Sequence, residues 1–312
     1  MRKFILKVLL FFLIIAVVDV CMGGAFRQMA QHPKGGDNAR NNYICDSTHE
    51  EILVMGSSRA LHHYNPQIFQ DALHMSCYNC GQDGNGVILN YGRLLMTMKR
   101  YQPKMIIYDI SSDFDIQKGD NRQFLGWLKG FYDREGIADI FKSVDKNEPL
   151  KMRSAMYRYN SKFIQVLGDY VHPTKRQEIN GFRPLAGELD PMKLRDENEI
   201  SWDVEIDSLK LDYITKLIDL CHDTQLVFVV SPMWYQQDSA AVEPIRKLCS
   251  QYQIPFFDYS HSPKYVHHDE YFKDGSHLNA KGADEFSRDV AHDILSSSIT
   301  NNPKYHTAVI MD

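Results

Sequence analysis

An alternation of short apolar runs with longer segments of helical spacing limits what this chain can fold into. It begins at Glu51-Ile52-Leu53-Val54-Met55-Gly56. A run of that length, closed by glycine and lacking polar alternates, fits a strand buried on both faces. Similar runs recur at Met75–Asn79, Lys104–Ile110, Leu226–Val230 and Ile254–Phe257. Between them lie helical segments: one starting at Asn65-Pro66, then Gly86–Arg100, Ile206–Cys221, Val242–Tyr252 and Ala280–Leu295. In Gly86–Arg100, Val87, Leu89, Tyr91, Leu94, Leu95 and Met98 fall near helical spacing. The alternation predicts an α/β fold of three layers, α/β/α, around a central parallel five-stranded sheet. Functional loops then belong at the C-terminal ends of the strands. The stretch from Phe114 to about Trp202 is far too long for a crossover and reads as a helical insertion, with one helix near Lys151–Tyr170.

The N-terminus obeys different rules. Behind Met1-Arg2-Lys3, an apolar run from Phe4 to about Phe26 is broken only by Lys7 and Asp19. About 20 apolar residues span a bilayer core as a helix, so residues 1–27 read as a transmembrane signal anchor. Val18-Asp19-Val20-Cys21 lacks the small residues of a cleavage site, which favours an uncleaved anchor. Arg2, Lys3 and Lys7 ahead of the span place the N-terminus in the cytoplasm, although Arg27, Lys34 and Arg40 behind it reduce the asymmetry. The body is then expected on the extracytoplasmic side, periplasmic or cell-surface. Residues 28–50, polar and containing Pro33-Lys34-Gly35-Gly36, read as a tether. The domain proper covers 51–300 with its insertion at about 114–202, and 301–312 form a tail.

Net charge is −5 over 312 residues, with 35 basic and 40 acidic side chains, so nucleic acid is not an expected partner. The 17 Tyr and 16 Phe suit both a core and a sugar-stacking surface. Cys77-Tyr78-Asn79-Cys80 has metal-like spacing without a second ligand pair, and reads as small buried residues at a strand end. His267-His268-Asp269 likewise lacks a second cluster and reads as a solvated loop.

Three separated segments carry the chemistry. Gly56-Ser57-Ser58-Arg59 follows the first strand, and Ser57 or Ser58 at such a strand-to-helix turn is a candidate nucleophile. Asn79-Cys80-Gly81-Gln82-Asp83-Gly84-Asn85 follows the second strand, where a glycine N–H can donate to an oxyanion. Asp274-Gly275-Ser276-His277 sets an Asp three residues before a His, a spacing at which one turn holds a general base and the carboxylate that orients it. His62 and His63, about one helical turn beyond Ser58, read as surface residues, with a pocket lining as the other reading. Arg59 reads equally as a substrate contact or as a cap on the sheet.

In this order the segments resemble the SGNH (GDSL-like) hydrolase superfamily. Gly56-Ser57-Ser58 stands for Gly-Asp-Ser, Gly84 matches the glycine of the second block, and Asp274–Gly282 matches DxxHLNxxG. The resemblance covers roughly 51–113 and 225–295. It implies Ser58, not Ser57, as nucleophile, with His277 and Asp274 completing a triad. It also implies an oxyanion hole that uses the Ser58 and Gly84 N–H groups; Asn85 beside Gly84 is a candidate further donor, and Arg59, His62 and Asp113 are candidates to line the substrate pocket. The third block departs from the pattern: Asp109-Ile110-Ser111-Ser112-Asp113-Phe114 puts Asp113 where a donating Asn is usual, leaving Ser111, Ser112 or Asn85 as substitutes.

The implied activity is ester hydrolysis through an acyl-enzyme, on an acetylated glycan or other small ester, with no metal or organic cofactor. Two other readings are an acyltransferase working with a membrane acyltransferase partner, and a binding protein that keeps the fold without adequate oxyanion stabilisation.

Overall fold

The computed structural model describes residues 1–197 and 204–297. In chain order the elements are α1 (Arg2–Gln31), α2 (Gly36–Asp46), β1 (Ile52–Gly56), α3 (Ser58–His63), α4 (Pro66–Leu73), β2 (Cys77–Asn79), α5 (Val87–Met98) and β3 (Met105–Asp109). There follow α6 (Ile137–Val144), α7 (Glu148–Lys151), α8 (Phe163–Val171), α9 (Ser208–Leu220), β4 (Gln225–Val230), α10 (Glu243–Tyr252), β5 (Phe256–Asp258) and α11 (Ala280–Ser296). The described residues sort into two compact units, 48–120 with 177–197 and 204–297, and 1–47 with 121–176.

The first of these units is built on a five-stranded sheet of order β2-β1-β3-β4-β5. Every pairing is parallel, with Ile52 opposite Cys77 and Met105, and Met105 opposite Gln225. The central strands β1 and β3 are buried throughout, as their unbroken apolar composition requires, whereas β5 at the edge is only half-buried. Alternation along the strands divides the core. Ile52, Val54, Met105, Ile107, Val227 and Val229 pack with Phe286, Val290 and Ile294 of α11. On the other face α5 and α9 meet through the edge-to-face pair Tyr91–Tyr213. The fold is thus the expected three-layer α/β/α arrangement. The direction of winding reverses between β1 and β3, so the crevice beyond their C-terminal ends is where such a sheet offers a site. The segment 177–197, expected within the insertion, groups with this sheet unit.

The second unit joins the N-terminal helices to 121–176. Helix α1, of 30 residues, is long and apolar enough to cross a membrane, and its residues from Phe4 to Met22 are exposed apart from half-buried Asp19. Asp19, the acid inside this run, accepts hydrogen bonds from Ser154 Oγ (2.5 Å), Ala155 N (2.8 Å) and Met156 N (3.1 Å). Gly23 admits Ala155 where a Cβ would collide with it. The stretch 28–50, expected as a tether, holds the end of α1 and all of α2. Asp37 favours the first turn of α2, and Ile44 and Cys45 are buried. Of the helix expected near 151–170 only the second half forms, as α8, and 152–162 is a run of turns that follows the short α7. The tail at 301–312 and the end of the insertion at Trp202 lie outside the described residues.

Candidate active site

Gly56 ends β1 with φ +142°, and a Cβ there would strike the Asp109 carbonyl and Ala60. The chain can therefore turn sharply from strand to helix only with glycine at this point. Ser57 is the N-cap of α3, yet its side chain makes no capping bond and its Oγ is buried without a partner. Ser58 opens the helix, so its N–H has no intrahelical acceptor and remains available to a ligand.

The Asp274–His277 turn is held by its own sequence. Phe272 and Leu278 form an isolated antiparallel bridge that closes the loop. Asn279 caps α11 by accepting from Gly282 N at 2.9 Å, while its Nδ2 donates to the carbonyls of Glu270 (3.0 Å) and Phe272 (3.2 Å). Gly282 lies so close to the Tyr271 carbonyl that a Cβ would not fit. Leu278 is buried in the core. The Leu-Asn-x-x-Gly continuation thus has a mechanical role: it fixes the residue just before it.

That residue is His277. Its Nε2 lies 2.9 Å from Ser58 Oγ, and its Nδ1 lies 3.0 and 3.1 Å from the two carboxylate oxygens of Asp274. Asp274 Oδ1 also accepts the N–H groups of Ser276 (2.8 Å) and His277 (2.9 Å). Burial by itself would raise the Asp274 carboxyl, but the His277 hydrogen bond and charge, with these two N–H groups, hold it below the usual carboxylate range. An ionised Asp274 fixes the proton on Nδ1 and leaves Nε2 to accept from the Ser58 hydroxyl.

The loop after β2 lies directly on α3. Gly81 touches the backbone of Ala60 and Leu61 where any Cβ would clash, and Gln82 N donates to Gly56 O at 3.1 Å. Gly84 has φ +63° with open space where a Cβ would sit. Asn85 is buried; its Nδ2 donates to Asp83 O at 2.7 Å and its Oδ1 has no hydrogen-bond partner among the described residues.

Of the two readings for His62 and His63, the structure gives the one away from the surface, because α3 is covered by 177–185 and by the Asp274–His277 turn. His62 Nδ1 lies 2.6 Å from Arg183 O and its Nε2 3.0 Å from Asp83 Oδ1, with the ring edge-on to His277 at 5.6 Å. Burial would raise the Asp83 carboxyl, but the hydrogen bond and charge of His62, then the charges of His277 and Arg183, hold it below the usual range. His63 is fully buried and its Nε2 accepts Leu278 N at 3.0 Å. Arg183 carried no sequence signal of this kind, since it falls in no recognisable motif.

Two other expected pocket residues are placed elsewhere. Arg59 is buried and binds the ends of the sheet: Nη2 to Ile110 O (2.6 Å), and Nη1 to Gln237 Oε1 (2.9 Å) and Ser231 O (3.3 Å). One position along the helix turns it by about 100° from Ser58, toward the sheet. It thus caps the sheet rather than lining a pocket. Asp113 is exposed on a π-helical turn and forms no hydrogen bond or ion pair with Ser58 or His277 among the described residues. The buried carboxylate of this segment is Asp115, which accepts Ser111 N and Tyr108 OH, each at 2.8 Å, and is pushed up to about 6 by burial. The Ser111 N–H is thereby already used.

Cys77 and Cys80 are buried, and burial pushes the Cys77 thiol well up, as small core residues would be. His267 pairs with Glu197 at 2.6 Å on an exposed loop. Among the described residues no group of three or more His, Cys, Asp or Glu is placed to hold a metal ion.

No protein-family model and no curated protein matches the chain. Among solved structures, it is similar to a Streptococcus pneumonia chain provisionally described as a platelet activating factor. That match has 14% identity and a TM-score of 0.39 over 94% of this chain and 99% of the other. It is also similar to the acetyl xylan esterase Est2A of the rumen bacterium Butyrivibrio proteoclasticus. There identity is 10% and the TM-score 0.35, over 78% of this chain and 63% of the esterase.

Proposed function

We propose that the chain is a serine esterase of SGNH type, anchored by α1, with its body outside the cytoplasm. The observation that carries the reading is the contact of 2.9 Å between His277 Nε2 and Ser58 Oγ, with Nδ1 of the same ring on Asp274. In this reading His277 takes the Ser58 proton as Oγ attacks an acyl carbonyl, then returns it to the departing alcohol. Water activated by His277 releases the acid in the second half. Charge developing on the carbonyl oxygen is met by the N–H groups of Ser58 and Gly84. Asn85, which has a second amide N–H beyond the one given to Asp83, is the third donor in place of the missing block III Asn.

The substrate in this proposal is an acetyl or other small acyl ester of an envelope glycan. The support is the open approach at Gly84, the compartment expected from Arg2, Lys3 and Lys7 ahead of the span, and the sequence resemblance. The test is hydrolysis of p-nitrophenyl acetate by the full-length chain. Activity lost in Ser58→Ala and kept in Ser57→Ala supports the assignment; equal loss in both, or none in either, overturns it.

A further inference from the structure

Helix α8 is arranged inside out. Taking about 100° per residue, Phe163, Ile164, Leu167, Tyr170 and Val171 fall within an arc of roughly 120°. All five are exposed, Ile164 at 73%. The opposite side holds the polar residues and faces protein. Gln165 Nε2 donates to Asp37 Oδ2 at 2.9 Å, and buried Asp169 accepts both the backbone N and the Nδ2 of Asn38 at 2.9 Å. In water this inverts the normal amphipathic order, in which the apolar stripe faces the core.

The location of the helix says what covers that face. The exposed apolar run of α1 ends at Met22, and about one turn later Phe26 meets Phe163 edge-on at 6.5 Å. The apolar face of α8 thus adjoins the C-terminal end of the apolar surface of α1. Its ends carry basic residues as an interfacial helix does: Lys34 lies over the Tyr170 ring at 5.5 Å and Lys175 follows the helix, while Lys162 and Arg176 are held by the Trp127 ring and Asp37. Long basic side chains can bury their stems there and leave their charges among lipid phosphates.

We propose that the Phe163–Val171 face is seated in the headgroup–acyl boundary of the bilayer, so that the unit containing α1 holds the membrane by a second, interfacial contact. This rests on the reading that α1 crosses the membrane.

The test uses full-length protein with Cys21→Ala in vesicles of phosphatidylcholine and phosphatidylglycerol. An NBD fluorophore is placed at Ile164→Cys or Leu167→Cys, with Arg288→Cys on α11 as the exposed reference. Blue-shifted emission and severalfold stronger quenching by headgroup-proximal spin-labelled lipid at 164 and 167 than at 288 is the expected result. Emission and iodide access at 164 and 167 equal to those at 288 would overturn the proposal. So would shielding that appears only in native membranes, which would assign the face to a partner protein. Carbonate-resistant retention in the same vesicles reports on α1 independently, so failure of the anchor and failure of the interfacial helix are read separately.

Discussion

Leu278 N–H donates to Nε2 of His63 at 3.0 Å, so the residue after His277 is fastened to a ring buried at the end of α3. This bond ties the turn that holds His277 to the helix that opens with Ser58. It requires a neutral His63 with Nε2 unprotonated.

Burial, then the charges of His277, Arg59 and His62, keep His63 well below the ordinary histidine value of about 6.5. The folded state therefore binds fewer protons than the unfolded chain below that value. The contribution of His63 is fully present above pH ~6.5 and is lost as pH falls toward the folded-state value, with a slope of up to about 1.4 kcal/mol per pH unit. Urea midpoints between pH 7.5 and 5 should fall accordingly, and His63→Gln, which still offers an acceptor to Leu278, should flatten the fall. An unchanged slope in His63→Gln contradicts this.

Asp274→Asn keeps the shape of the turn but removes the charge that selects the Nδ1-protonated ring. In the proposed mechanism kcat for p-nitrophenyl acetate drops on the order of 10⁴-fold, with far-UV dichroism unchanged. A loss below about tenfold would mean that Asp274 does not set the tautomer.

His62 bridges Arg183 O and Asp83, and Asp83 directly precedes Gly84. Asp83→Asn removes the charge on one side of this bridge and loosens the loop that presents the Gly84 N–H. We expect kcat/KM to fall about tenfold, equivalent to ~1.4 kcal/mol, without loss of thermal stability. Unaltered kcat/KM would remove the bridge from the oxyanion account.

Gly81 and Gly84 separate packing from strain. Gly81→Ala drives a Cβ into the backbone of Ala60 and Leu61, which cannot yield as a flexible side chain would, and should cost about 1–3 kcal/mol. Gly84→Ala meets open space and carries only the strain of its φ of +63°, roughly 1–2 kcal/mol. Denaturation midpoints should rank the parent above Gly84→Ala and Gly84→Ala above Gly81→Ala; the reverse order of the two variants contradicts the packing argument.

The sheet was legible because its strands are short, apolar and closed by turn residues: β1, β3 and β4 fall within one or two residues of their runs. The meeting of Ser58 with the Asp274–His277 turn follows from that topology, since both lie at C-terminal strand ends of one parallel sheet. The surroundings were not legible. His62 and His63 sit on a helix too short to show a buried face by periodicity, and segments distant in the chain, 177–185 and the Asp274–His277 turn with α11, cover them. Arg59 could not be aimed from sequence, because its acceptors, Ile110 O and Ser231 O, come from strands far along the chain. The N-terminal unit was the least readable. α8 presents apolar residues outward, so its pattern identifies a helix while misassigning which side faces protein.

The central claim is that Ser58 is a hydroxyl activated by His277, and covalent labelling tests it most directly. Folded full-length protein treated with a fluorophosphonate is digested and mapped by mass spectrometry. The account predicts a single adduct on Ser58 that persists in Ser57→Ala and disappears in Ser58→Ala and in His277→Ala. Absence of any adduct on Ser58 in the folded chain, or equal labelling after His277→Ala, would contradict it.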